Sequence, residues 1–365
     1  MRRNNQGKTA KMTTKTEAIK KKKEEKFERN LVKYKELPEY LQDNEFILDY
    51  YRCEWPLKDA LFSFFTLHNE SLNIWTHVVG FLIFLGLMMM SFMENTQFGS
   101  FRNVEWFLHS RSQVYDPLMN MMRSSSQPLN VSGNNHFFPD SQYLRHISFQ
   151  SLLQIHNQDG TEAIPRWPWF VFLSGAMGCL ICSSVSHLLA CHSKRFSLFF
   201  WRLDYAGISL MIVCSFFPPI YYAFYCNPFP RIFYITSITV VGILAMITLL
   251  APAFSSARYR PFRATLFLFM GLSGVIPAVH VVCLHWGNPH IYVSLGYELL
   301  MGLLYAIGVG FYVSRVPERW KPGAFDIAGH SHQIFHVLVV LAALSHTAAT
   351  LVILDFRKRS PACTF

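Results

Sequence analysis

Seven stretches of about 20 apolar residues divide this chain, and a helix that crosses a bilayer needs about that many. They run from Leu72 to Met93, Pro168 to about Cys191, Tyr205 to Cys226, Ile232 to Pro252, Ala264 to Leu284, Ile291 to Val313, and about His332 to Leu354. Hydrocarbon leaves a chain few options, because each backbone N–H and C=O must be satisfied internally, which a helix does by itself. The expectation is an all-α membrane protein, a seven-transmembrane helix bundle. Composition agrees: 51% of the residues are hydrophobic and only 15% charged, where soluble domains carry about 25% charged residues. A soluble globular protein and a disordered chain are both excluded.

Charge is concentrated rather than spread. Residues 1–35 hold 13 Lys/Arg and 4 Glu, which is nearly all of the net +10. A nucleic-acid-binding surface would distribute that excess differently, so no nucleic-acid partner is expected. The first 30 residues are too polar for a cleavable signal peptide, and the first span is expected to direct insertion. Five of the eight cysteines fall inside apolar runs, and their spacing suggests no disulfide framework.

Orientation follows from Lys and Arg in the flanks of the spans. With the amino terminus inside, the short cytosolic loops carry Lys194, Arg195 and Arg202, then Arg258, Arg260 and Arg263, then Arg315, Arg319 and Lys321. The two short outer loops, 227–231 and 285–290, share a single basic residue, Arg231. Arg357, Lys358 and Arg359 in the tail run mildly against the pattern. The expected topology has a cytosolic amino terminus and an extracellular or lumenal carboxyl terminus, the reverse of ordinary G-protein-coupled receptors.

Four segments result. Residues 1–35 form a basic, disordered cytosolic tail that anionic lipids would attract. Residues 36–71 form a juxtamembrane segment, in which Leu61, Phe62, Phe64, Phe65 and Leu67 suit a short helix lying in the interface. Residues 72–355 hold the seven helices with a long outer loop, 94–167, and residues 356–365 are a short tail. The loop contains an acceptor sequon, Asn130-Val131-Ser132; Asn69-Glu70-Ser71 has the same pattern but should face the cytosol unmodified.

Polar groups inside a membrane are costly, so each is a candidate site. Ser183 and His187 lie four apart on one face of the second span, as do His332 and His336 at the start of the seventh. Asp204 stands at the mouth of the third. Counting spans puts His187, Asp204, His332 and His336 at one depth, and inverting the whole protein leaves that conclusion intact. Three imidazoles at one depth suit a metal such as zinc, which takes neutral nitrogen ligands and, with three of them, keeps a fourth position for water. Asp204 would then hold or deprotonate the water, and Ser183 would bond it or polarise a substrate carbonyl. The competing view is a set of separate packing histidines bonded to carbonyls. His77 could be a further polar contact, although packing or interfacial anchoring is the favoured reading. His280 and Glu298 are expected to pair in a structural role, the Cys179–Cys182 pair to be packing, and Pro252 and Pro277 to end or kink their helices.

With these residues in view, the chain resembles the progestin and adipoQ receptor family, the adiponectin-receptor-like seven-helix proteins. The resemblance rests on Glu36-Leu-Pro-Glu-Tyr-Leu, Asn73-Ile-Trp-Thr-His77, Ser183 with His187, Leu203-Asp204-Tyr205-Ala-Gly207, Tyr221-Tyr-Ala-Phe-Tyr-Cys226, Pro317-Glu-Arg319 and Ser331-His332-Gln-Ile-Phe-His336, in that order. The long 94–167 loop departs from the animal receptors and is similar to the plant heptahelical transmembrane branch. The resemblance implies an intramembrane zinc held by His187, His332 and His336, with Asp204 and Ser183 in the same polar site. It also implies receptor-type signalling in hormone, sugar or stress responses, with a ceramidase-like lipid amide hydrolase as the alternative; a transporter has the least support. The implied partners are the bilayer, a lipid or sphingolipid-like ligand and a cytosolic signalling protein met through the amino-terminal region, with homo-oligomerisation compatible. Plasma membrane or endomembrane is the expected location.

Overall fold

A computed structural model of the chain describes residues 29–95, 164–255, 257–360 and 363. Most of the basic tail and the long loop with its Asn130 sequon lie outside the described residues. Seven helices are long and apolar enough to cross a membrane: Ser71–Met93, Trp167–Leu189, Lys194–Ala223, Pro228–Leu250, Arg260–Leu284, Pro289–Ser314 and Ser331–Arg359. Apart from an isolated bridge between Val32 and Tyr51, no strand pairing occurs among the described residues. The expected all-α, seven-span architecture is the one found, and the chain is an integral, multi-pass membrane protein.

Several boundaries moved for identifiable reasons. The third helix begins at Lys194, eleven residues before the apolar run, because the Ser193 side chain caps it by accepting from the Phe196 N–H and about three amphipathic turns precede the run. Asp204 therefore sits ten residues inside the helix rather than at its mouth. The seventh helix continues to Arg359. The fifth is broken: Arg260–Leu272 and Val275–Leu284 flank Ser273–Gly274. Pro277 has no N–H to return to the carbonyl of Ser273, which accounts for the break. Pro252 lies just beyond the end of the fourth helix.

The spans pack in sequence as a ring, with the seventh also against the first and third. Burial is uneven. Half or more of the most apolar stretch is buried in the second, third and seventh spans, against 11% in the sixth. The central contacts are close because small residues allow them, as is usual between membrane helices. Gly175 lies against Cys214, and Gly207 against Cys179 and Cys182. Around them Phe84, Phe172, Leu173, Ala176, Leu180 and Ala343 are essentially fully buried.

One face of the bundle is covered by residues 29–70, hereafter the amino-terminal face. The cover is pinned to several elements: Asp43 pairs with Arg260, Glu45 with Arg315, and the Leu48 and Asp49 amides donate to Asp326. Arg52 is buried and donates to the carbonyls of His187 (2.7 Å) and Leu188 (3.0 Å). A cation at this helix C-terminus satisfies carbonyls that have no partner of their own. The segment expected to hold an interfacial helix contains a short helix, Leu57–Phe62, continued by a tighter turn over Ser63–Phe65. Its Leu61, Phe62 and Phe65, with Leu67 after it, are exposed, as side chains meant for lipid would be.

The opposite face is fastened covalently. Cys226, after the third span, and Cys363, after the seventh, form a disulfide. This overturns the expectation of no disulfide: the two are 137 residues apart, so spacing was silent. Both follow odd-numbered spans and thus share a face. Arg357 braces the same corner through the Tyr222 carbonyl and the Cys226 sulfur.

Candidate metal centre

The metal-ligand atoms offered by His187, His332 and His336 all lie within 4.8 Å of one another. His187 and His336 are 2% exposed, and His332 is partly buried. The i, i+4 spacing stacks the last two on one face of the seventh helix, and the second helix brings His187 across to them. Trp201 meets the edge of the His187 ring, and Tyr312 flanks His332.

The second nitrogens of the rings decide what the cluster can hold. His187 Nδ1 lies 2.7 Å from Glu70 Oε2, and His336 Nδ1 lies 3.0 Å from the Asn73 carbonyl. Both partners are acceptors, so each Nδ1 carries the proton and each Nε2 keeps a lone pair for the cluster. His187 Nε2 and His332 Nε2 are 3.2 Å apart. Two lone pairs at that distance repel unless a proton or a cation lies between them. Donors around a tetrahedral zinc, at about 2.0–2.1 Å from it, stand about 3.3–3.4 Å apart. Outward Nδ1–H bonds to a carboxylate and a carbonyl are also the usual support of metal-bound histidines. The donor set therefore fits a metal ion.

Glu70 had no role in the sequence reading beyond its place in a sequon. In the structure it bonds both His187 and the Asn73 amide (2.5 Å). Burial raises its pKa, but the nearby His187 imidazole and these two hydrogen bonds outweigh that and hold the carboxyl below its usual range. Its signal was available: Glu70, Asn73 and His77 are spaced by three and four, which is one helix face.

Asp204 and Ser183 are both buried. Both line a cavity of about 650 Å³ that also reaches His332 and His336. His77 stacks on His336 at 3.7 Å and lines the same cavity, and neither of its nitrogens has a hydrogen-bond partner among the described residues. The rest of the wall is largely apolar and comes from the third, fifth, sixth and seventh spans. Leu272, Val275, Leu299 and Leu303 line it and are exposed, so the cavity opens sideways between the fifth and sixth helices. His280 and Glu298 do not pair. His280 bonds Tyr234 (3.0 Å), and Glu298 pairs with His346. The seventh helix, which the sequence reading left out of that pairing, passes closer to Glu298 than the fifth does.

The chain matches the haemolysin-III-related family over residues 65–347. It is 56% identical over 337 residues to heptahelical transmembrane protein 3 of Arabidopsis thaliana, covering 92% of this chain and 91% of that one. Heptahelical transmembrane protein ADIPOR1 of Oryza sativa subsp. japonica is 45% identical over 340 residues, 90% of this chain and 85% of its own length. The adiponectin receptor protein of Drosophila melanogaster is 36% identical over 315 residues, 86% of this chain and 57% of its own.

Proposed function

The chain belongs to the haemolysin-III-related family, and from that premise we propose a receptor-type signalling protein whose His187, His332 and His336 hold zinc near the cytosolic face. The carrying observation is the triad, with Nδ1 of two rings committed to acceptors. Imidazole suits zinc among the available metals, although it also takes copper, nickel and iron. Such an ion ties the second span to the seventh. The amino terminus then faces the cytosol. Support comes from the basic residues in the loops of the amino-terminal face and from the disulfide on the opposite face, since disulfides persist in oxidising compartments. Residues 29–70, together with the basic tail before them, are the surface offered to a cytosolic signalling partner, with hormone, sugar or stress responses as the output.

A second reading is favoured by the cavity: hydrolysis of a lipid amide that enters sideways between the fifth and sixth spans. Zinc bound at the triad would supply Lewis acidity and make a nearby water more acidic. Asp204, which lines the cavity with Ser183 and His332, would accept a proton there. Glu70 holds His187 in one tautomer and orientation, and the apolar wall excludes bulk water from the site.

Metal content and ceramide turnover measured on one preparation test both readings. The expected result is about one zinc per chain, with Asp204→Asn keeping the metal and lowering turnover. Protein without bound zinc refutes the first reading. Wild-type protein that carries zinc but releases no fatty acid from ceramides removes the second and leaves the first. Protease access to the amino-terminal tail in sealed vesicles tests the orientation.

A further inference from the structure

Far from the triad, the same cavity holds another polar group. His346 Nδ1 lies 2.9 Å from one oxygen of Glu298 and 3.1 Å from the other. His346 is 2% exposed and bonds Thr350 through its other nitrogen (3.4 Å). It stands 15 residues into the 29-residue seventh helix, near mid-membrane. A carboxyl group there is expensive and marks a functional position by default.

Packing does not explain the pair. The sixth and seventh spans already join through Gly308 against Phe335 and Leu338, and through Ser294 and Ser345, which donate to Ala349 and Tyr297 carbonyls. An apolar residue would do as well or better at such a contact. Glu298 also has unused capacity. A carboxylate can accept about four hydrogen bonds; here the single N–H of His346 lies against both of its oxygens. Both Glu298 and His346 line the cavity. So does Tyr305, two turns along the sixth helix from Glu298, whose hydroxyl has, among the described residues, only the Met211 sulfur at 4.0 Å.

We propose that Glu298, positioned by His346, is a second binding point of the cavity and accepts a hydrogen bond from a hydroxyl carried on the chain of a lipid. The lipid's head lies at the triad. Ten residues separate His336 from His346, about 15 Å along the helix, so the hydroxyl belongs toward the far end of a long acyl chain. This deepens the reading of the cavity as a lipid site and rests on it.

The test is direct binding of palmitic acid and of a series of hydroxypalmitic acids, with the hydroxyl moved from the head toward the methyl end. Bound metal is measured on each sample. Wild-type protein is expected to bind a hydroxyl near the methyl end about tenfold more tightly than palmitic acid. Glu298→Leu should erase that preference, so that hydroxylated and plain chains bind alike, with metal content unchanged. Glu298→Gln, which keeps a carbonyl acceptor and a partner for His346, should retain part of it and covers the case in which the leucine variant fails to fold. Palmitic acid bound with no preference for any hydroxyl position, or a preference that survives Glu298→Leu or is unaltered in Glu298→Gln, overturns the inference and spares the lipid site. Failure to bind any of the fatty acids overturns the lipid site, and the inference falls with it.

Discussion

The second and seventh spans and the fifth and sixth spans are built from the same apolar alphabet, yet they do opposite things. Two thirds of the seventh span's most apolar stretch is buried inside the protein, and about a tenth of the sixth span's. Where the second span meets the third, backbones approach so closely that Gly175 leaves no room for a methyl group. Gly302, on the sixth, has nothing within 4 Å of the position a Cβ would take. The imidazoles of the triad sit on two spans that are well buried, while the fifth and sixth helices share the wall of the cavity with the third and seventh and frame its sideways opening. Three ring nitrogens must be held to within fractions of an ångström, which requires dense packing; admitting a flexible chain from the bilayer requires a wall that is not packed shut. The bundle meets both requirements by dividing them between its two sides.

The largest effect expected from that division is on the metal. His332→Ala should lower bound metal from about one ion per chain to near zero, read by elemental mass spectrometry, and should lower the melting temperature as well. If the variant remains fully loaded, the crowded side is not where the metal is held and the comparison fails. Glu70→Gln should act on the same site less severely. Losing a carboxylate that orients a ligand histidine costs about 10–100-fold in metal affinity, read by competition with a chelator. An affinity unchanged by Glu70→Gln would mean that the hydrogen bond to His187 is incidental to the site.

Packing comes next. Alanine at Gly175 would put its Cβ 2.4 Å from the Cys214 Cβ and 3.6 Å from the Leu210 carbonyl. Overpacking of this kind costs about 1–3 kcal/mol, and unfolding in detergent should show it. A neutral Gly175→Ala would mean that the second and third helices separate freely, and the site would have to be rigid for some other reason.

What could be foreseen from the sequence divides along the same lines. The spans were visible because hydropathy is local, and the triad because helical periodicity and a count of membrane crossings together place His187, His332 and His336 at one depth. Glu70 escaped because it stands just before a span, where an acidic residue attracts no notice until Asn73 and His77 show that the helical face extends back to it. The disulfide escaped because 137 residues separate its halves, and only the shared face of Cys226 and Cys363 links them. The pairing of Glu298 with His346, rather than His280, depends on which helices are neighbours in the ring, and hydropathy does not encode adjacency. The cavity was the least legible feature of all. Its wall and a tightly packed core use the same residues, so the space between helices appears only once they are placed.

The smallest predicted effect tests that space most directly. Gly302→Ala adds a methyl group to an exposed helix position facing open volume. With no clash to oppose it, the better helix propensity of alanine should leave stability unchanged or raise it by up to about 1 kcal/mol. The same substitution that harms the second span should therefore be tolerated in the sixth, with bound metal unaltered. If Gly302→Ala instead destabilises the protein as much as Gly175→Ala does, the fifth and sixth helices close on one another in the membrane. The sideways route into the cavity would then be absent in the resting protein, and a lipid could reach the triad only after the wall had opened.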